Sequence, residues 1–131
     1  MKLKKILSGL IAIQLAIFSG MIFANNIYTE SKLNITVSAN SPQFMIKLKS
    51  NPTTGYSWFL RKYDASLITP LEHHYVKPDT KLIGAPGYET WTFKMKPAAF
   101  TVPHQTSIHL IYARPWQSDE KATQMVFWVS T

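Results

Sequence analysis

The chain has 131 residues, no cysteine, and a formal charge of +7 from fourteen Lys/Arg against seven Asp/Glu. That length suits one domain, and the missing cysteine excludes disulfide staples, a thiol nucleophile, thiolate metal sites and a lipid-modified cysteine. The basic residues are scattered, with Lys2, Lys4 and Lys5 at the very start, so a nucleic-acid-binding footprint is not supported.

Residues 1–24 read as a leader. A basic head, Met1 to Lys5, precedes an almost wholly apolar run from Ile6 to Phe23 that closes on the small residue Ala24. This is the pattern of a secretory signal peptide, with cleavage expected after Ala24 and an uncleaved membrane anchor as the alternative. The expected product, residues 25–131, is long enough to bury a core without staples. Its expected destination is the periplasm or the medium.

Residues 25–32 are polar, with room for a short edge strand at Ile27-Tyr28. Leu33 to Val37 alternates apolar and polar, as a half-buried strand does. After the turn signal Asn40-Ser41-Pro42, the residues Phe44, Ile46 and Leu48 alternate with Met45, Lys47 and Lys49 in a second strand. That strand runs into Asn51-Pro52-Thr53-Thr54-Gly55-Tyr56. Here Pro52 fixes its own φ, Asn51 is pushed toward an extended conformation, and Gly55 permits a positive φ. Tyr56 to Leu60 resumes as a strand, and residues 63–66 turn it back.

Residues 71–77 read as a strand more than a helical turn. Pro78-Asp79-Thr80 is a turn, and Leu82 to Gly87 is a second loop built on Gly84, Ala85, Pro86 and Gly87. Trp91, Phe93 and Met95 mark the next strand, Pro97 and Pro103 punctuate a connection, and Ile108, Leu110 and Tyr112 mark another strand. A third loop, residues 114–120, opens with Arg114-Pro115-Trp116, and Met125 to Val129 is the last strand. Seven or eight short strands with regular turn signals and no helical period predict an all-β sandwich with Greek-key character. Trp58, Trp91 and Trp128 fall inside strand patterns and are expected in the core or in cross-strand pairs.

Catalysis finds no constellation. His73 and His74 are adjacent, so in a strand they point to opposite faces and cannot chelate one ion. No metalloprotease helix motif, nucleophile elbow or phosphate loop is present, and no two carboxylates stand out as an acid/base couple. The three loops are more informative. Each joins a rigidifying proline to an unusual residue: threonines, then glycines, then tryptophan with arginine. Loops cluster at the ends of a sandwich. If these share one end, they make a preorganised edge, and Trp with Arg is the composition of an interface anchor.

In that order and spacing, Asn51-Pro52-Thr53-Thr54-Gly55-Tyr56, Leu82-Ile83-Gly84-Ala85-Pro86-Gly87 and Arg114-Pro115-Trp116 resemble the chagasin-type inhibitors of papain-like cysteine proteases. The resemblance runs from the second strand to the last. It implies an immunoglobulin-like β-sandwich and a monomer without cofactor or metal. Its three loops would enter the cleft of a papain-like cysteine protease, cathepsin L-type or similar, as a reversible, competitive wedge. It places Thr53 and Thr54 nearest the catalytic residues, Gly84 to Gly87 along one side of the cleft, and Arg114, Pro115 and Trp116 along the other. Pro86 departs from the paired glycines common in that family and removes an amide donor. The alternative is an exported adhesion or carbohydrate-binding module that uses Trp116 as a stacking platform.

Overall fold

The computed structural model describes residues 26–117 and 122–131. The leader expected over residues 1–24 lies outside the described residues, as does the end of the third loop, residues 118–121. The described chain forms eight strands: β1 (Ile27–Tyr28), β2 (Asn34–Thr36), β3 (Gln43–Ser50), β4 (Ser57–Lys62), β5 (Ile68–Val76), β6 (Gly87–Met95), β7 (Gln105–Ala113) and β8 (Thr123–Ser130). They pair as two four-stranded sheets, in the orders β1-β3-β6-β5 and β2-β8-β7-β4. The short strands β1 and β2 run parallel to β3 and β8, and the remaining pairs are antiparallel. This is the expected all-β, immunoglobulin-like sandwich. The strand expected over residues 71–77 is β5, running along the edge of its sheet with residues 71–76 exposed.

Alternation decides what the sandwich buries. On β3, Phe44, Ile46 and Leu48 face inward beside Phe93 and Met95 of β6, opposite Ile108 and Leu110 of β7 and Phe127 and Val129 of β8. Phe44 and Phe93 stack with ring centres 5.5 Å apart. Each such large side chain contributes roughly 1.5–3 kcal/mol when fully buried, so packing replaces the missing disulfides.

The tryptophans separate. Trp58 is buried in the core and Trp91 is half-buried against it, as expected. Trp128 is not in the core: it stands opposite Asn34 and Ser107 across the sheet and is 58% exposed on the outer face. The period of two explains it, because Phe127 and Val129 face the core and the residue between them must face away.

The same pairing sets the loops. Ser50 lies opposite Gly87 and Val76 opposite Tyr88 in one sheet, while Ser57 lies opposite Ala113 in the other. The β3–β4 crossover, the β5–β6 hairpin and the β7–β8 hairpin therefore leave the same end of the sandwich.

Candidate functional site

The β3–β4 loop is shaped by its own residues. Asn51 is extended, with φ −126° and ψ 89°, and Pro52 to Thr54 make one 3-10 turn that ends on Gly55 at φ 82°. Proline suits the first position of such a turn, and a left-handed ending suits glycine. Both threonine hydroxyls are engaged inside the loop: Thr53 Oγ1 donates to Asn51 Oδ1 and Thr54 Oγ1 to the Asn51 carbonyl, each at 2.6 Å. The tip thus presents methyl groups and backbone on an exposed, braced turn.

The base of this loop rests on aromatic rings. The Asn51 N–H donates to Tyr112 Oη at 2.8 Å. Tyr112 packs between Tyr56 and Trp58, with centroid separations of 5.3 and 5.0 Å. Trp58 Nε1 donates to the Lys49 carbonyl at 2.9 Å, so the ring's polar atom is satisfied as the ring enters the core.

The third loop is bound tightly to the first. Arg114 Nε donates to the Thr54 carbonyl at 3.0 Å, and its guanidinium carbon sits 4.7 Å above the Tyr56 ring. A turn closed from Gln117 N–H to the Arg114 carbonyl carries Pro115 and Trp116 outward. Trp116 is 72% exposed. The edge of its indole nevertheless lies over Gly55, where a β-carbon would come 3.1 Å from Trp116 Cη2.

The middle loop is tied more lightly. Asn51 Nδ2 donates to the Gly84 carbonyl at 3.2 Å, and Ala85 N–H closes a turn onto the Leu82 carbonyl at 3.3 Å. Leu82 and Ile83 project into solvent, Ile83 without any cover. Pro86 is exposed, but Gly87 is buried as the first residue of β6. Added there, a β-carbon would meet the Val76 carbonyl at 2.3 Å and the Tyr75 hydroxyl at 2.5 Å. Gly87 thus allows two strands to close beneath the loop, whereas Gly84, Ala85 and Pro86 lie beyond the strand ends.

One group in this region is not signalled by the linear motifs. Glu89 is only 3% exposed, at the loop end of β6. Its Oε2 accepts from Ser50 Oγ at 2.5 Å and from the Trp58 N–H at 3.0 Å. Its Oε1 accepts from Ser57 Oγ at 2.8 Å and lies 2.7 Å from His73 Nε2, whose ring stacks on Trp91 at 3.9 Å. In sequence Glu89 is a lone carboxylate in an alternating strand. Its being on the core-facing side, in phase with Trp91, Phe93 and Met95, was the available signal. The other histidines serve local structure: His74 pairs with Glu72, His104 with the Ala99 carbonyl, and His109 with Ser107. Among the described residues no group of three or more His, Asp or Glu side chains is placed to hold a metal ion.

Comparison with known proteins agrees with this architecture. Chagasin from Trypanosoma cruzi is 37% identical over 76 residues, an alignment covering 54% of this chain and 64% of chagasin. The chain therefore spans just under two thirds of that relative. The fold is similar to the crystal structure of the cysteine protease inhibitor EhICP2 from Entamoeba histolytica, with a TM-score of 0.62 and 22% identity over 79% of this chain and 92% of that one. It is also similar to the solution structure of Amebosin, with a TM-score of 0.58 and 24% identity over 79% and 93% of the two chains. Residues 37–130, which include all three loops and every strand after β2, match the family described as Chagasin family peptidase inhibitor I42. The chain belongs to the chagasin family, whose members are peptidase inhibitors and not enzymes.

Proposed function

We propose that this protein is a reversible, competitive inhibitor of papain-like cysteine proteases, acting as an exported monomer with cathepsin L-type enzymes among its targets. The observation that carries the reading is the single edge made by the three loops. The threonine tip is braced at its centre, Trp116 is exposed beside it, and the backbone of the middle loop flanks it on the other side. Chagasin-family membership and the inhibitor fold support it. The basic, apolar leader supports export.

Inhibition requires no chemistry from this chain. A braced 3-10 turn that enters the cleft at a fixed angle offers the enzyme's thiolate no peptide bond aligned for attack. Because the tip is ordered before contact, little conformational entropy is lost on binding. Trp116 supplies the aromatic anchor, and Arg114 holds the tip carbonyl rather than reaching for the enzyme. Pro86 removes one amide donor from the exposed middle loop, which narrows the set of enzymes that can pair with it.

The test is titration of papain and a cathepsin L-type enzyme with the purified protein at fixed substrate. Tight, competitive inhibition is expected. It should be lost in Thr54→Trp, whose bulk cannot enter the cleft. A folded protein that leaves a broad panel of papain-like enzymes untouched at micromolar concentration would refute the proposal. Glycan binding that survives Thr54→Trp would favour the adhesion alternative.

A further inference from the structure

We infer that Glu89 is the positioning residue of the inhibitory edge: one buried carboxylate grips both stems of the Asn51–Tyr56 loop and so fixes the angle at which the threonines are presented. The inference rests on the inhibitory reading above and concerns the same edge. Ser50 is the last residue of β3 and Ser57 the first of β4, so they bracket the loop. Glu89 accepts from both hydroxyls and from the following Trp58 N–H. Since β3 and β4 belong to different sheets, the carboxylate also fastens one sheet to the other where the loop crosses. His73 adds a fourth contact from β5, the strand that feeds the middle loop. Glu89 itself lies two residues beyond Gly87, at the exit of that loop. The stems of two loops therefore converge on one side chain.

The four partners match the capacity of a carboxylate, which accepts about four hydrogen bonds in all. A core-filling residue would need only apolar neighbours, and a lone buried charge would be costly. Here each oxygen has two partners, and none of these contacts reaches the tip. Glu89 acts through the stems.

The chemistry of the partners gives a signature that bulk stability does not. Trp58 N–H can only donate, so in Glu89→Gln the amide oxygen must take the Oε2 position and the NH2 group the Oε1 position. There the NH2 faces Ser57 Oγ and His73 Nε2. A neutral imidazole can accept through Nε2, but an imidazolium cannot. With glutamate in place, His73 can donate in either protonation state. The neighbours of His73 along β5, Glu72 and His74, point to the opposite face, where they pair with each other at 3.3 Å and are both exposed. Trp91 covers one face of the ring.

The experiment compares the purified wild-type protein with Glu89→Gln and Ser57→Ala, measuring inhibition of papain and NMR order parameters of the Thr54 and Gly55 amides. Both quantities are measured at about pH 8 and at about pH 5. Relative to wild type at the same pH, Glu89→Gln should inhibit within about threefold at the higher pH. At the lower pH it should weaken by about tenfold or more, with the loop amides losing order in step. Ser57→Ala should loosen the loop at both pH values. Folded variants with unchanged loop order and inhibition within about twofold of wild type at both pH values would overturn the inference. If the wild-type protein inhibits no protease, the inhibitory reading falls while the order parameters still decide whether Glu89 sets the loop.

Discussion

Gly55→Ala separates two roles that the loop cluster combines. The first is backbone: Gly55 holds φ at 82°, and an alanine in the left-handed region costs about 1–2 kcal/mol. That cost is the same in the free and bound inhibitor, so it belongs to unfolding and not to inhibition. The second is steric. The new methyl would lie 3.1 Å from Trp116 Cη2 and 3.7 Å from Trp116 Cζ2, tighter than ordinary carbon contact, so the exposed indole must shift by a few tenths of an ångström. Removing an aromatic anchor altogether costs on the order of 2 kcal/mol in binding, so displacing it should weaken inhibition by up to about thirtyfold. A double-mutant cycle with Trp116→Ala isolates this term. Chemical denaturation should show the loss of about 1–2 kcal/mol with or without the indole. Titration against papain should show the further loss only when the indole is present. If Gly55→Ala weakens inhibition equally in the Trp116→Ala background, within about 0.5 kcal/mol, then the shape of the loop and not the seat of Trp116 is at fault, and the reasoning fails.

Gly87→Ala should be far more damaging to stability than Gly55→Ala, because its methyl meets a backbone carbonyl at 2.3 Å and β5 must move away from β6; a thermal melt within a degree or two of wild type would contradict the packing. Asp64 ties the turn after β4, and hydrogen bonds from the Ser66 hydroxyl and then the Ser66 N–H hold its carboxyl below the usual aspartate range. Because the folded value is the lower one, the stabilising contribution is complete above the unfolded value and disappears as pH falls through the folded one. Asp64→Asn should therefore flatten the acid limb of the stability curve, and thermal melts at neutral and acidic pH would show it; an unchanged acid limb would count against the turn's contribution.

Much of the fold was legible because alternation and turn chemistry are local. The inward faces of β3 and β7 follow from the spacing of Phe44, Ile46 and Leu48 and of Ile108 and Leu110. The loop motifs were legible for the same reason, since Pro52 and Gly55 determine their own dihedrals. What the sequence could not show is what strand pairing brings together from a distance. Trp128 was expected in the core or in a cross-strand pair; it stands opposite Asn34 and Ser107, and the parity of β8 assigns the core to its neighbours. Gly87 belongs to the glycine motif in sequence, but its need for glycine arises from Tyr75 and Val76 across the hairpin. Glu89 is isolated in sequence from Ser50, Ser57 and His73, and only the antiparallel register places them around one carboxylate.

The contacts among the loops are unequal, and this bears on how the edge can vary. The first loop and residues 114–116 of the third share the Arg114 hydrogen bond, the guanidinium over Tyr56 and the indole over Gly55, so they brace each other. The middle loop meets them through one exposed hydrogen bond from Asn51, and a β-carbon on Gly84 would touch nothing within 4 Å. Substitutions at Leu82, Ile83 or Pro86 therefore alter the surface offered to an enzyme without disturbing the braced tip, because mutations that share no partner act nearly independently. On the proposed inhibitory reading, selectivity can be retuned on the middle loop while the threonine turn stays fixed, with its stems hydrogen-bonded to Glu89 and its tip carbonyl to Arg114.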